Sequence, residues 1–400
     1  MKKIMILGAS ILQLPAIKKA KEMGLQVIAV DMDAEAVGFK EKDVVCEVIS
    51  TIDTEKILNT AKSYGVDGIM TLASDMPIRS VAIVAKEMGL VGISEQTALK
   101  ATNKAFMRQC LKEHGVPVPE FFCVNTREEF LKAIEYFKRT NINCIVKPAD
   151  NSGSRGVDML SDLSNMEALG KAFAYSKSYS RSGDILVEEY MEGPEVSVET
   201  LSIDGECHVI QITDKITTNA PYFVEMGHSE PSALPDEIKQ KIVQTTKSAV
   251  KAIGIENGPS HTELKITAEG PKIVELGARL GGDNITTHLV PLSTGVNMVE
   301  CCIRIAIGDK ADIEIKYDKG AAIRYLKADI GEIKEIKGIS DAETVKGIQQ
   351  VSIVKGVGNQ STEIKSSVDR IGFVIAQDIT ADKAVYDCMS AIKKIDIRVG

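Results

Sequence analysis

Glu263 and Glu275 are the pair of residues whose types and spacing most directly imply chemistry. They lie in the run His261-Thr262-Glu263-Leu264-Lys265-Ile266-Thr267-Ala268-Glu269-Gly270-Pro271-Lys272-Ile273-Val274-Glu275-Leu276, which alternates as a β-hairpin does. A three-residue loop Ala268-Glu269-Gly270, with Gly270 left-handed, sets Thr267 opposite Pro271, Ile266 opposite Lys272 and Leu264 opposite Val274. Leu264, Ile266, Val274 and Leu276 then share the buried face. Glu263 and Glu275 become cross-strand neighbours on the other face, with Cβ atoms about 5 Å apart. Two bare carboxylates there repel by roughly 3 kcal/mol at an effective dielectric near 20. A bound cation relieves that repulsion, and oxygen-only ligands without a His–Cys cluster suit Mg2+ or Mn2+. The alternative is an exposed acidic hairpin that tolerates the repulsion in water.

A second element is Ile145-Val146-Lys147-Pro148-Ala149-Asp150-Asn151-Ser152-Gly153-Ser154-Arg155-Gly156-Val157. A lysine ending a strand, followed by a Gly/Ser loop, places one cation and several backbone N–H groups around an anion. It is not a P-loop, because the lysine precedes the glycines. A surface turn between strands would have the same composition. Downstream of the hairpin, Gly277-Ala278-Arg279-Leu280-Gly281-Gly282-Asp283 sets an arginine, able to grip an oxygen pair bidentately, beside the proposed metal. Asp214-Lys215 and Glu225-Met226-Gly227-His228 add groups able to pair with a carboxylate or act as a base. A loop histidine satisfied within the structure is the other reading of His228. His114, His208 and His288 are taken as structural.

These groups need a framework, and the chain supplies one. Strands at 4–7, 27–30 and 68–72 alternate with helices at about 15–23, 54–64 and 78–88, the pattern of a doubly wound parallel sheet. A helix at about 103–114, capped by Asn103 or Thr102, follows. Beyond 185 strands dominate: 185–190, 196–202, 208–214 and the hairpin, with helices at 237–253 and about 297–307. The last part carries strands at 321–326, 352–354 and 370–375 and a helix at 381–393. The opening Gly8-Ala9-Ser10 turn with Asp31 is not spaced as GxGxxG, so a nicotinamide site is the minor alternative.

Composition narrows the function classes. Four hundred residues imply two or three domains. A net charge of -8, 4% aromatics and no Trp argue against a nucleic-acid surface. The opening apolar stretch is too short for a signal sequence, and no segment approaches ~20 apolar residues, so a cytosolic location with no membrane partner is expected. The eight cysteines are scattered without a CxxC pair and are expected to be small buried hydrophobes.

The ordered set NKAFMRQCLKEHGVPVP (103–119), IVKPADNSGSRGV (145–157), ILVEEYMEGPEVSVE (185–199), HTELKI (261–266) and IVELGARLGG (273–282) resembles the ATP-grasp superfamily. The likeness is greatest to carboxylate–amine ligases such as L-amino-acid ligases, biotin carboxylase and carbamoyl phosphate synthetase. The resemblance implies a mixed α/β and α+β protein. Its parts would be a Rossmann-like N-terminal domain at 1–98, an ATP-grasp domain at 99–310 with a mobile lid at about 117–187, and a small α+β domain at 311–400.

By the same resemblance Lys104 and Lys147 would reach the nucleotide phosphates, and the loop with Ser152, Gly153, Ser154 and Gly156 would close over them. Glu188, Glu189, Tyr190 and Met191 would form the hinge beside adenine, and Glu195 would hold the ribose. Glu263 and Glu275 would bind Mg2+, and Arg279 would steady the transferred group, with His228 and Lys215 lining the substrate pocket. Many relatives have Glu-x-Asn-Pro-Arg where this chain has Glu275-Leu276-Gly277-Ala278-Arg279, so the usual asparagine ligand is missing. Water, a backbone carbonyl or Asp283 would have to replace it. The implied activity is amide formation through an acyl phosphate from ATP, on small-molecule carboxylate and amine substrates, with a homodimer as the expected assembly. Bicarbonate-activating and purine-pathway ligases are the alternatives within the family, and a nucleotide sensor without turnover is the alternative outside it.

Overall fold

The computed structural model describes residues 1–400 apart from Ser152, Ser154, Asn219 and Pro221. Near the N-terminus, apolar runs too continuous for a half-wet sheet become strands buried on both faces. Lys3–Leu7, Gln26–Asp31, Val44–Val48 and Gly68–Met70 pair in parallel, in the spatial order third, second, first, fourth. Alternate residues serve two cores. Ile4, Ile6, Val27 and Ala29 pack with helices Leu14–Glu22 and Met298–Ala306, while Met5, Leu7, Ile28 and Val30 pack with Thr54–Tyr64 and Ile78–Met88. Periodicity places the last two helices correctly but marks no strand in 32–53. The edge strand Val44–Val48 is only half covered, so its hydrophobic signature is weak.

A four-stranded antiparallel sheet follows, in the order Phe121–Val124, Ile185–Glu189, Cys144–Pro148, Asp158–Leu160. Helices Arg127–Thr140 and Met166–Tyr179 cover it around Phe130, Phe137, Val146 and Val187. The first of these helices starts at a capping box, Thr126 with Glu129, and ends at Asn141 in the left-handed region.

The largest element is an eight-stranded antiparallel sheet. Its order is Gly270–Gly277, Gly258–Thr267, Glu195–Ile203, Glu206–Thr217, Glu225–Glu230, Gly320–Leu326, Gly372–Asp378, Ile348–Ile353. Period-two alternation divides its faces. Val196, Val198, Leu264, Ile273 and Leu276 pack against helix Asp236–Ile253. Glu195, Ser197 and Glu199 fall on the opposite face and pair with Lys265, Glu263 and His261 of the neighbouring strand. The last three strands of the sheet lie beyond residue 311, so the sheet runs through the 310/311 position without a break. A small sheet of Gln360–Ser361, Gly331–Lys337 and Asp396–Val399 completes the C-terminal part.

The hairpin departs from expectation in two ways that cancel. Its loop has two residues, so Thr267 faces Gly270, Ile266 faces Pro271 and Leu264 faces Ile273. The Thr267 hydroxyl ties this shorter loop, donating to Gly270 O at 2.9 Å and accepting from Glu269 N at 3.2 Å. A bulge between Glu263 and Leu264 takes up the residue gained, and Glu263 faces Glu275 after all. In consequence Ile273 rather than Val274 enters the core, Ile266 is only partly buried, and Val274 turns toward a cleft. The cysteine expectation is also corrected: all eight are free thiols, but Cys46 and Cys123 are exposed. Among the described residues no single helix is long and apolar enough to cross a membrane.

One buried acid makes the fold sensitive to pH. Glu230, fully buried, accepts hydrogen bonds from the Thr213 and Ser293 hydroxyls, each at 2.8 Å. Burial pushes its pKa from 4.5 up to about 8. The folded chain therefore keeps a proton that the unfolded chain has already lost. The stability this gives is complete below the unfolded pKa and is lost as pH rises through the folded value. Glu230→Gln cannot ionise, so its thermal midpoint should fall less than the wild type's between pH ~5 and ~8.5. Parallel melting curves across that range would disprove this account.

Candidate functional site

A cleft lies between the four-stranded sheet and the polar face of the eight-stranded sheet. Lys147, Glu188, Glu189, Tyr190 and Met191 line it from one side, and Glu195, Glu225, Glu263 and Glu275 from the other. Lys104, Asn151 and Gly153 close one end. Most of the residues singled out by sequence therefore meet in one place. Ser152 and Ser154 lie outside the described residues.

Lys104 opens helix Lys104–Glu113, whose N-terminus is capped by Asn103 Oδ1 accepting from Ala105 N and Phe106 N. Its ammonium group donates to Glu275 Oε1 at 2.8 Å and to Asn151 O at 2.7 Å. One turn on, Arg108 is fully buried and donates Nε to Glu188 Oε1 at 2.6 Å and Nη2 to Val274 O at 2.6 Å. Lys147 approaches the other oxygen of Glu188 at 2.5 Å. Burial would raise the Glu188 pKa, but Arg108 and Lys147 outweigh it and hold the carboxyl at about 2. The Glu188 side chain is thus the anchor of a buried Arg–Glu–Lys group. Arg108 escaped the sequence analysis, although its i+4 spacing from Lys104 on one helix face was a usable signal.

The hinge expectation is partly changed by the sheet. Glu189 N donates to Glu120 O and Tyr190 N to Asn143 O, both at 2.8 Å. Those two amides are occupied within the protein, and an adenine edge would be met by other groups of the segment. The Glu189 carboxylate accepts from Lys272 at 3.1 Å. Gly153 and Gly156 both have positive φ, at 68° and 78°.

On the far wall Lys215 is almost fully buried, with its ammonium 2.6 Å from Glu195, 3.0 Å from Glu263 and 3.6 Å from Glu225. Burial would lower its pKa, yet the three carboxylates carry it well above the ordinary lysine value. Glu195 is shared with Lys265 at 3.3 Å. Glu263 also meets His261 Nε2 at 3.3 Å, and Lys215 with His261 overcomes the burial that would raise its pKa, keeping it well below the usual carboxylate range.

Arg279 is held by a residue that the sequence did not single out. Its Nε lies 2.8 Å from Asp75 Oδ1 and its Nη2 3.3 Å from Asp75 Oδ2. Asp75 follows the last parallel strand at the carboxyl edge of the N-terminal sheet, where open α/β sheets offer ligands their binding groups; that position was the available signal. A Cβ at Gly277 would stand 3.0 Å from Asp75 Oδ1, so a side chain there would require Asp75 to shift by a few tenths of an ångström. Asp75 thus borders the position of the missing asparagine. Asp283, considered as its substitute, is committed elsewhere. Arg370 grips both its oxygens, at 2.7 and 2.8 Å, while stacking on the Tyr325 ring at 3.7 Å. His228 is 1% exposed, with its Nε2 3.6 Å from Asp283 Oδ2, so it backs Asp283 instead of standing open in the cleft.

The arrangement can hold an anion against Lys104 and Lys147 and a hard cation against Glu263 and Glu275. Among the described residues, no three or more His, Cys, Asp or Glu side chains are grouped to hold a metal by themselves. Mg2+ keeps several waters and takes one or two protein carboxylates plus substrate phosphates, so Glu263 and Glu275 are donors of the right chemistry for it.

Comparison with known proteins agrees with this geometry. The ATP-grasp domain family matches residues 140–287, and the L-amino acid ligase C-terminal domain 2 family matches residues 324–400. The chain is 28% identical over 280 residues to alanine–anticapsin ligase of Bacillus subtilis (strain 168), covering 65% of this chain and 58% of that one. It is 27% identical over 258 residues to the L-arginine-specific L-amino acid ligase of Bacillus subtilis, covering 64% and 62% respectively. The matched stretch thus spans less than two thirds of either relative. The crystal structure of L-amino acid ligase from Bacillus licheniformis superposes with a TM-score of 0.84 at 23% identity, over 100% of this chain and 99% of that one, which shows a common fold. The matched domains and the shared fold thus identify an ATP-grasp domain at residues 140–287 and an L-amino acid ligase C-terminal domain at residues 324–400.

Proposed function

We propose that this protein is an ADP-forming ligase that joins the carboxylate of an amino acid or small acid to an amine. One observation supports the reading most directly. Two lysines far from the hairpin in sequence sit on its two glutamates, Lys104 on Glu275 at 2.8 Å and Lys215 on Glu263 at 3.0 Å. A site that gathers cations and carboxylates in one cleft is suited to exchange those internal pairs for a nucleotide's phosphates and their cation. Glu263 and Glu275 would hold Mg2+, which when bound supplies positive charge against the phosphates.

The chain's own groups then have separable tasks. Lys104 and Lys147 bind phosphate oxygens, and the Arg108–Glu188 pair fixes where Lys147 can reach. Arg279 keeps Nε and Nη2 on Asp75, and its Nη1, weakly engaged with Leu280 O at 3.3 Å, is the donor left for an oxyanion. An oxygen of the substrate carboxylate bonds to the γ-phosphorus as the bridging P–O bond breaks, and ADP leaves with the electron pair. The amine nitrogen then bonds to the acyl carbon, the C–O bond to phosphate breaks, and phosphate departs, taking the proton that the nitrogen loses. Closure of the 117–187 part over the cleft would keep water from the acyl phosphate. The same reading carries a cytosolic location and, as the general prior for soluble oligomers, a homodimer.

ATP-dependent phosphate release, measured across pairs of amino acids and small acids with mass spectrometry of the product, should reveal an amide. A carbamate or a carboxylated product would identify a bicarbonate-activating enzyme instead. Glu275→Gln should lower kcat by at least about a hundredfold while the circular dichroism spectrum is unchanged; near-normal turnover would refute the metal assignment. Arg108→Met leaves Lys147 as the remaining cation on buried Glu188, and should cost about 3 kcal/mol of stability in urea denaturation.

A further inference from the structure

His261 belongs to the hairpin but has no task in the reaction just described. It lies directly across from Glu199 in the strand pairing, and both are buried. Its Nδ1 is 2.5 Å from Glu199 Oε1 and its Nε2 is 3.3 Å from Glu263 Oε1. Each ring nitrogen therefore faces a carboxylate oxygen, and a ring hydrogen on each satisfies both contacts. The Glu199 side chain is 0% exposed, and its second oxygen has no hydrogen-bond partner. A carboxylate buried that completely, with one oxygen unmatched, is costly to a fold and calls for a purpose beyond stability. The packing around the pair is also tight. A Cβ at Gly281 would stand 2.6 Å from His261 Nδ1 and 2.9 Å from Glu199 Oε1, so the loop after Arg279 passes the ring only because position 281 is glycine.

The donors converge on one side of Glu263. His261 Nε2 and Lys215 Nζ, at 3.3 and 3.0 Å, both meet Oε1 and neither meets Oε2. We propose that His261, held by Glu199, is a positioning residue that fixes the orientation of the Glu263 carboxylate and thereby reserves Oε2 for the divalent cation. The ring cannot turn away, because Glu199 grips its far nitrogen and the glycine loop closes over it. Lys215 alone could not do this, since it divides its hydrogens among three carboxylates. This inference rests on the ligase reading, and specifically on Glu263 as a cation ligand. Groups that orient a ligand from behind are commonly worth ten- to a hundredfold in metal affinity.

The test is Mn2+ binding to the full chain with ADP present, followed by the free-Mn2+ electron paramagnetic resonance signal, so no turnover is needed. His261→Leu should weaken Mn2+ binding by about tenfold or more. His261→Gln, which restores an N–H of similar reach, should recover most of that loss, and ADP affinity without metal should change less than about twofold in both. Glu199→Gln should fall between wild type and His261→Leu, and it decides the matter if the leucine variant does not fold. Equal losses in the leucine and glutamine variants, or wild-type Mn2+ affinity in the leucine variant, would overturn the positioning role while leaving the ligase reading intact. Failure of the wild type itself to bind Mn2+ with ADP would overturn both.

Discussion

The constraint that organises this protein is charge balance inside its cleft. Glu188, Glu195, Glu263 and Glu275 all line it, and withdrawing a carboxylate from water costs several kcal/mol unless a cation meets it at good geometry. The chain answers with partners from separate elements: Arg108 and Lys104 from one helix, Lys147 from the four-stranded sheet, Lys215 and Lys265 from the eight-stranded one. Where a helix begins, where a strand bulges and which face of a sheet stays polar are all set so that these partners arrive. The Asn103 cap fixes the first turn that carries Lys104, and the bulge beside Glu263 keeps that residue opposite Glu275.

The same balance explains why the N-terminal sheet is joined to the rest. Arg279, partly buried, finds its carboxylate in Asp75, which lies beyond the end of a parallel strand of the N-terminal sheet. The sheet is held in place by helix Met298–Ala306, which covers one of its faces, and by Gly68, where a Cβ would stand 2.6 Å from Ala306 O. The absence of a side chain at Gly277 belongs to this design. A Cβ there would crowd the Asp75–Arg279 pair, standing 3.0 Å from Asp75 Oδ1 and 3.4 Å from Arg279 Nε.

Much of this was legible in the sequence, and the parts that were not share a physical cause. Period-two and helical patterns depend on near neighbours, so the helices 54–64 and 78–88 and the two-faced sheet were readable. The opposition of Glu263 and Glu275 was also foreseen, but through a loop one residue too long and without the bulge that offsets it. The core position assigned to Val274 was the visible consequence. Strand 352–354 is found as Ile348–Ile353, because its pattern is that of an edge with little buried side. The partners of Asp75, Arg108 and Glu199 lie 204, 80 and 62 residues away, so local pattern could mark the positions of Asp75 and Arg108 but not what each residue meets. Asp283 was misjudged for the same reason, its partner Arg370 being 87 residues distant.

The continuity of the eight-stranded sheet has a mechanical consequence. Strands Gly320–Leu326, Gly372–Asp378 and Ile348–Ile353 continue, through Glu225–Glu230, the same hydrogen-bonded sheet as the strands that carry Glu195 and Lys215. Swinging the C-terminal part as a separate body would break a row of backbone hydrogen bonds. The four-stranded sheet shares no strand with it. The four-stranded sheet could therefore swing as a jaw against a stiff anvil without breaking any strand pairing, which is what the proposed closure over the cleft requires.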